Sequence, residues 1–162
     1  MKSFLRSWWP ALLWAAVIFT LSTDSFSAVH TASIFRHIFK WLMPSLTSHQ
    51  LDSLNFALRK AAHFTDYFIF YLFLFRGFRG DRKGWRWTWA LAALAIAAGY
   101  SCLDEIHQAF VASRTASPWD SLLDSTGAFF AAALVRLWYF WRPPASPAPA
   151  NSPGAQLDPA RD

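Results

Sequence analysis

The residue types that could do chemistry in this 162-residue chain are concentrated in two short segments. In "YSCLDEIHQAF", residues 100–110, two acids, a histidine and a glutamine follow an uncharged apolar run. In "RKAAHFTDY", residues 59–67, a lysine, a histidine, an aspartate and a tyrosine stand close together. Carboxyl and imidazole groups are the usual general acids and bases and also common metal ligands. The residues of the two segments are therefore suited to catalysis, to ligand binding or to cross-linking of helices.

Metal chemistry has little support in the spacing of these residues. No HExxH-like motif is present, although Asp104 and His107 can share a helix face. The single cysteine, Cys102, excludes an internal disulfide and any CxxC pair. We therefore expect no metal and no cofactor.

Each polar segment forms a polar stripe on one helical face, because an α-helix turns about 100° per residue. The stripes are Ser101, Asp104, His107 and Gln108 in one segment, and Lys60, His63 and Tyr67, with Asp66 alongside, in the other. The same spacing puts Asp120, Asp124 and Gly127 of a third segment on one face. Aspartates near hydrocarbon need partners, and small residues let helices approach closely. We therefore predict one polar cluster between three helices, which either binds a ligand or cross-links the helices. Its candidate members are Lys60, His63, Asp66, Tyr67, Asp104, Glu105, His107, Gln108, Arg114, Asp120 and Asp124.

The composition predicts that the elements carrying these residues are membrane helices. The chain is 54% hydrophobic, 19% aromatic and only 15% charged, and its apolar residues form blocks. This profile is typical of a polytopic membrane protein. We therefore predict an all-α integral membrane protein, a bundle of about four transmembrane helices at residues 8–23, 61–75, 85–103 and 119–141, within a domain of residues 1–142. The predicted partner is the lipid bilayer, and the net charge of +5 lacks the interleaved motif that nucleic-acid binding would need.

A shorter amphipathic helix is predicted before the second span. Residues 33–43 place apolar side chains on one face and Arg36, His37 and Lys40 on the other. We expect it to lie on the outer membrane surface and to stop at Pro44, with a partner-binding helix as the alternative. The spacing of leucines after Ser48 predicts that the second span begins as an outer extension, with Ser48 as its N-cap.

The basic residues predict an orientation. Ten of the fifteen lysines and arginines fall at the chain ends and in the segment between the second and third spans. Because the side with more lysines and arginines is cytoplasmic, both termini are expected in the cytoplasm. The polar cluster is then expected at the outer side of the inner membrane. The first apolar block could instead be a cleaved signal peptide. Residues 143–162, rich in proline and alanine, are predicted to be a disordered cytoplasmic tail.

With these features the sequence resembles the VanZ-like family of small bacterial membrane proteins, named for a protein associated with teicoplanin resistance. The resemblance rests on "RKAAHFTDYFIFYLFLF" and "YSCLDEIHQAFVASRTASPWDSLLDSTGAFFAAAL", with a weaker echo in "IFTLSTDSFSA". The family pattern is matched by Lys60, His63, Tyr67, Tyr100, Asp104, Glu105, His107, Gln108, Phe110, Arg114, Asp120 and Gly127. The resemblance implies a multi-span helical protein linked to the cell envelope, and in some members to glycopeptide resistance. It implies no particular chemical reaction.

Three functions remain open at this stage. The first is a non-catalytic envelope protein whose outer cluster binds lipid headgroups, lipid-linked wall precursors or a glycopeptide. The second is an intramembrane enzyme that modifies a lipid, with or without a metal. The third is a small transporter that uses the ionisable residues within its spans. The first is favoured, so the chain is not expected to be an enzyme.

Overall fold

The fold is all-helical, as predicted. The structure is a computed structural model that describes residues 2–23, 28–111 and 116–141. These residues form five α-helices and no strand. The helices are α1 (Lys2–Leu21), α2 (Ala28–Leu42), α3 (Ser48–Arg79), α4 (Trp87–Ala109) and α5 (Pro118–Trp141). The predicted tail and Arg114 lie outside the described residues.

Two of the described helices are long and apolar enough to cross a membrane, by length and composition. They are α1, over Phe4–Leu21, and α4, over Trp87–Ala109. The other two predicted spans lie within α3 and α5, which carry more charged residues. Large apolar side chains are exposed on the outer faces of α1, α4 and α5, among them Leu12, Leu91 and Phe129.

Helix α3 is the centre of the bundle, since it packs against each of the other four helices. Helices α1 and α4 run in one direction and α3 and α5 in the other: Trp14 contacts the backbone of Asp66, whereas Trp8 packs against Phe78 near the other end of α3. The core between them contains Tyr71, Leu74, Ala93, Ala97, Ala128 and Ala131, all buried.

The closest approach in the bundle is between α3 and α5. A Cβ added at Gly127 would lie 2.2 Å from the backbone oxygen of Phe64, so only glycine fits there without a shift of the backbone. Ala128 and Ala131 are also fully buried on this side of α5. The small residues of α5 therefore allow the close helix contact that the sequence predicts.

Helix α3 begins one residue earlier than the predicted cap implies. Thr47, not Ser48, is the N-cap: its hydroxyl accepts from the backbone N–H of Gln50, whose side chain accepts from the Thr47 backbone. Such a capping box satisfies two backbone donors that the first helical turn leaves unpaired. The predicted helical extension before the second span is confirmed, because α3 continues without interruption from Ser48 to Arg79.

Helix α2 is longer than predicted at its start and ends one residue early. It contacts α3, where Arg36 forms an exposed ion pair with Asp52 at 2.6 Å. Phe35 and Phe39 stack on each other, but Trp41 is 82% exposed. Much of the apolar face of α2 is therefore not covered by other described residues.

The bundle has two chemically different ends. One, called the polar end here, brings together the end of α1, the first half of α3, the end of α4 and the start of α5. The other, called the basic end, contains the arginines at the end of α3 and in the following turn, together with the start of α1 and the end of α5. The turn contains Gly80, whose φ of +55° suits a residue without Cβ.

At the basic end, α1 has a proline within the helix. Pro10 has no N–H, so the carbonyl of Arg6 lacks its usual helical donor. The Arg76 side chain donates from Nη2 to that carbonyl at 3.2 Å, and from Nη1 to the carbonyl of Ser7 at 3.3 Å. An arginine of α3 therefore replaces the hydrogen bond that the proline removes.

Candidate binding site at the polar end

The rim of the polar end is an ion pair between α3 and α5. Lys60 Nζ donates to Asp120 Oδ1, and the two side chains are 31% and 14% exposed. Lys60 and His63 both lie on α3 and contact aspartates of α5. The ion pair links two of the predicted site residues at the border between solvent and interior.

Deeper in the cluster, Asp124 joins α3, α4 and α5. The carboxyl is fully buried: His63 Nδ1 lies 3.3 Å from Oδ1, and Ser101 Oγ donates to Oδ2 at 3.0 Å. Ser101 also contacts the Ser121 hydroxyl at 3.0 Å. Two helix faces predicted from spacing thus meet at one carboxyl group.

A second contact group ties α1 to α4. Ser22 Oγ donates to Asp104 Oδ1 at 2.5 Å, and Gln108 Nε2 donates to Oδ2 at 3.0 Å. All three residues are buried. Ser22 is absent from the predicted site, although the segment "IFTLSTDSFSA" that contains it carries part of the family resemblance. The cluster therefore lies between four helices, where three were predicted.

Four buried polar groups of the cluster keep an atom with no hydrogen-bond partner among the described residues: Tyr67, Glu105, His107 at Nδ1, and Asp124 at Oδ1, which has only its ion contact with His63. Glu105 Oε2 accepts from the backbone N–H of Ser117 at 2.8 Å, but Oε1 is buried with no hydrogen-bond partner among the described residues. The hydroxyl of Tyr67 is likewise buried and unpaired in that part of the chain. Ser101, which lies beside it, is directed at Asp124 and Ser121 instead. Glu105 and Tyr67 both interact electrostatically with Asp124.

The remaining predicted residues are placed differently. The side chain of Asp66 is half-buried near His63, and its backbone oxygen accepts from Trp14 Nε1 at 2.9 Å. His107 lies at the edge of the cluster, where its ring packs on Phe19 of α1 with centroids 4.7 Å apart. Arg114 lies outside the described residues, so its predicted role stays a prediction.

The described cluster is rich in acids. Five carboxyl groups interact electrostatically with His63, whereas Lys60 is the one lysine or arginine that pairs with a carboxylate there. The five are Asp66, Asp104, Glu105, Asp120 and Asp124. No group of three metal-type side chains that could hold an ion is found in the described part of the chain. The available chemistry is thus hydrogen bonding, charge pairing and proton transfer by an aspartate and histidine pair.

The fold and the site define a class: a helical bundle with apolar helices long enough to cross a membrane, and a buried polar cluster at one end. The VanZ/LLP1 family model matches residues 7–139, which is most of the chain. The chain therefore belongs to the VanZ-like family. No curated protein and no solved structure matches it.

Proposed function

We propose that this protein is a non-catalytic, four-span membrane protein of the bacterial cell envelope that binds a headgroup at its outward-facing polar end. The four spans are α1, α3, α4 and α5. Family membership, two long apolar helices and the apolar outer faces support a membrane location. The direct contact between Ser22 and Asp104 supports α1 as a retained part of the bundle.

The observation that carries the binding proposal is the unpaired Glu105 Oε1. Most polar atoms in this buried cluster have partners, and an unpaired buried acceptor is rare because it loses its hydrogen bonds with water. A carboxylate oxygen accepts, so the ligand should donate. The acid-rich surroundings favour a cationic donor such as a primary ammonium group. Lipid headgroups, lipid-linked wall precursors and glycopeptides can all present N–H or O–H donors.

The sharpest test uses two lipids that differ mainly in donor capacity. Phosphatidylethanolamine has a primary ammonium with three N–H donors, whereas phosphatidylcholine has none. The full chain in nanodiscs with equal amounts of both lipids should retain phosphatidylethanolamine preferentially when extracted into mild detergent. Glu105→Gln should reduce that preference about tenfold, since a hydrogen bond to a charged group contributes about 1.5 kcal/mol or more.

The matched control is Thr126→Val in α5. Thr126 lies near the depth of Asp124, but its exposed hydroxyl donates to the Leu122 carbonyl of its own helix at 2.8 Å. This variant should keep the lipid preference. Equal retention of both lipids by the unmodified protein, or an unchanged preference in a folded Glu105→Gln variant, would contradict headgroup binding.

Orientation can be tested separately by labelling. In a Cys102→Ser background, His49→Cys lies near the polar end and Lys83→Cys in the turn of the basic end; both positions are exposed. A membrane-impermeant maleimide added to intact cells should label position 49 and spare position 83. The reverse labelling pattern would place the cluster on the cytoplasmic side.

One contact favours a second function, an intramembrane acid–base enzyme. Asp124 Oδ1 lies 3.3 Å from His63 Nδ1, and this arrangement can orient an imidazole so that Nε2 accepts a proton. His63→Gln would then abolish turnover of a lipid substrate while leaving lipid retention intact. Under the binding proposal, the variant changes retention and no lipid is converted by the purified protein.

A further inference from the structure

The basic end contains a groove that the polar-end proposal does not use. It lies between α3 and α5 and has a volume of about 680 Å³. Phe68, Leu72 and Leu134 line it towards the middle of the bundle, and Arg76, Arg79 and Trp138 line it towards the basic end. Its walls therefore change from apolar to cationic and aromatic along its length.

The length of the groove matches one leaflet of a membrane. Arg79 lies eleven positions after Phe68 in α3, which corresponds to roughly 16 Å along the helix. Half of a hydrocarbon core of about 30 Å is nearly the same distance. With the membrane placement proposed above, the arginines lie at the headgroup level and the phenylalanine near the bilayer centre.

The positive charge at the mouth has no described acidic partner. Arg79 Nη1 donates to the Tyr139 hydroxyl at 3.0 Å, and its Nε is buried without a hydrogen-bond partner among the described residues. Arg76 donates to two backbone carbonyls of α1. Neither guanidinium pairs with a carboxylate in the described part of the chain. The mouth is therefore complementary to an anion.

These features point to one kind of occupant. We propose that the groove binds an anionic glycerophospholipid, with an acyl chain along Phe68, Leu72 and Leu134 and the phosphate at Arg76 and Arg79. A guanidinium binds phosphate through parallel N–H donors, and aromatic side chains such as Trp138 are common at the headgroup level. A second copy of the chain would have the same orientation in the membrane, so a symmetric contact here would bring like charges together.

The test uses phosphatidylglycerol and phosphatidylcholine, which differ in net charge. The full chain is reconstituted in nanodiscs that contain both lipids equally, extracted into mild detergent, and its retained lipid is quantified by mass spectrometry. We expect preferential retention of phosphatidylglycerol. Arg79→Gln should reduce the preference about tenfold, as expected for a lost hydrogen bond to a charged group.

Arg82→Gln is the matched charge control. Arg82 belongs to the same basic segment, but it donates to the Phe78 carbonyl at 2.6 Å and does not line the groove. This variant should change retention less than twofold. An equal loss in both variants would overturn the proposal, because it would indicate diffuse attraction to the basic segment.

A steric pair tests the acyl-chain part. Leu134→Trp fills the groove from a half-exposed position, whereas Leu91→Trp places the same bulk on an exposed face of α4. Only the first should reduce retention. Undiminished retention in a folded Leu134→Trp variant, or a detergent-stable dimer that this variant disrupts, would overturn the proposal. Because Glu105→Gln should leave phosphatidylglycerol retention unchanged, the two lipid sites can fail independently.

Discussion

The two ends of the bundle stabilise their charges in different ways. At the polar end, a buried acid such as Asp124 is held by side chains of two other helices. At the basic end, arginines lie against aromatic rings: the Arg82 guanidinium is 4.6 Å from the Trp89 ring, and that of Arg136 is 5.9 Å from the Trp85 ring. Paired buried acids fix the positions of helices, whereas a cation on the solvent side of an aromatic ring contributes little to packing and is suited to a membrane surface.

The largest effect is expected from removing the central acid. Asp124→Ala should lower the free energy of unfolding by about 3 kcal/mol, because it leaves His63 and Ser101 without their buried partner. Unfolding of the purified protein in mixed micelles would measure this loss. Thr126→Val, on the exposed face of the same helix, should have little effect. A loss equal to that of the control would show that the polar end does not hold the helices together.

A smaller loss is expected from separating α3 and α5. Gly127→Ala places a methyl group against the Phe64 carbonyl and should cost about 2 kcal/mol of unfolding free energy. It should also weaken the contact of His63 with Asp124, since both lie near this crossing. Gly77→Ala is the comparison at the basic end, where the nearest atoms to the new Cβ belong to the Trp8 side chain and not to a backbone. Equal losses of unfolding free energy would mean that the two ends tolerate an added methyl group equally well.

The rim ion pair should contribute less. Lys60→Ala should cost about 1 kcal/mol, because the pair is partly exposed and solvent weakens it. A charge exchange, Lys60→Asp with Asp120→Lys, separates structure from binding. If the pair only links helices, the exchange restores unfolding free energy and lipid retention together. Restored stability without lipid retention would make Lys60 a ligand-binding residue.

The smallest effect belongs to the basic end. Arg82→Gln should change the free energy of unfolding by about 0.5 kcal/mol, the usual contribution of an exposed cation over an aromatic ring. The same unfolding measurement checks it. A loss as large as that of Asp124→Ala would remove the contrast between the two ends.

Helical faces could be predicted well from the sequence. Asp104 and Gln108 lie one turn apart and share a buried face, and Lys60 and His63 both face α5, because local spacing determines direction along a helix. The Ser22 contact could not be predicted this way. Its partner, Asp104, is 82 residues away, and only the docking of α1 on α4 brings them together.

Element ends were predicted less well than faces. Thr47 and Ser48 are both suitable caps, and the reach of the Gln50 side chain decides between them. The start of α2 at Ala28 was missed because the apolar periodicity used to locate it begins only near Ser33. The groove beside Arg79 depends on how α3 and α5 cross, which periodicity within a single helix does not specify.

The hydrogen bonds from Arg76 to α1 also constrain how the sequence can vary. Because Pro10 removes an amide hydrogen and Arg76 supplies the replacement donor, the two positions form a complementary pair. In a relative with a residue other than proline at position 10, the backbone N–H of that residue can donate to the carbonyl of residue 6. Such a relative no longer needs an arginine at position 76 to supply this hydrogen bond. Substitutions at these two sites, 66 residues apart, should therefore be correlated among related sequences.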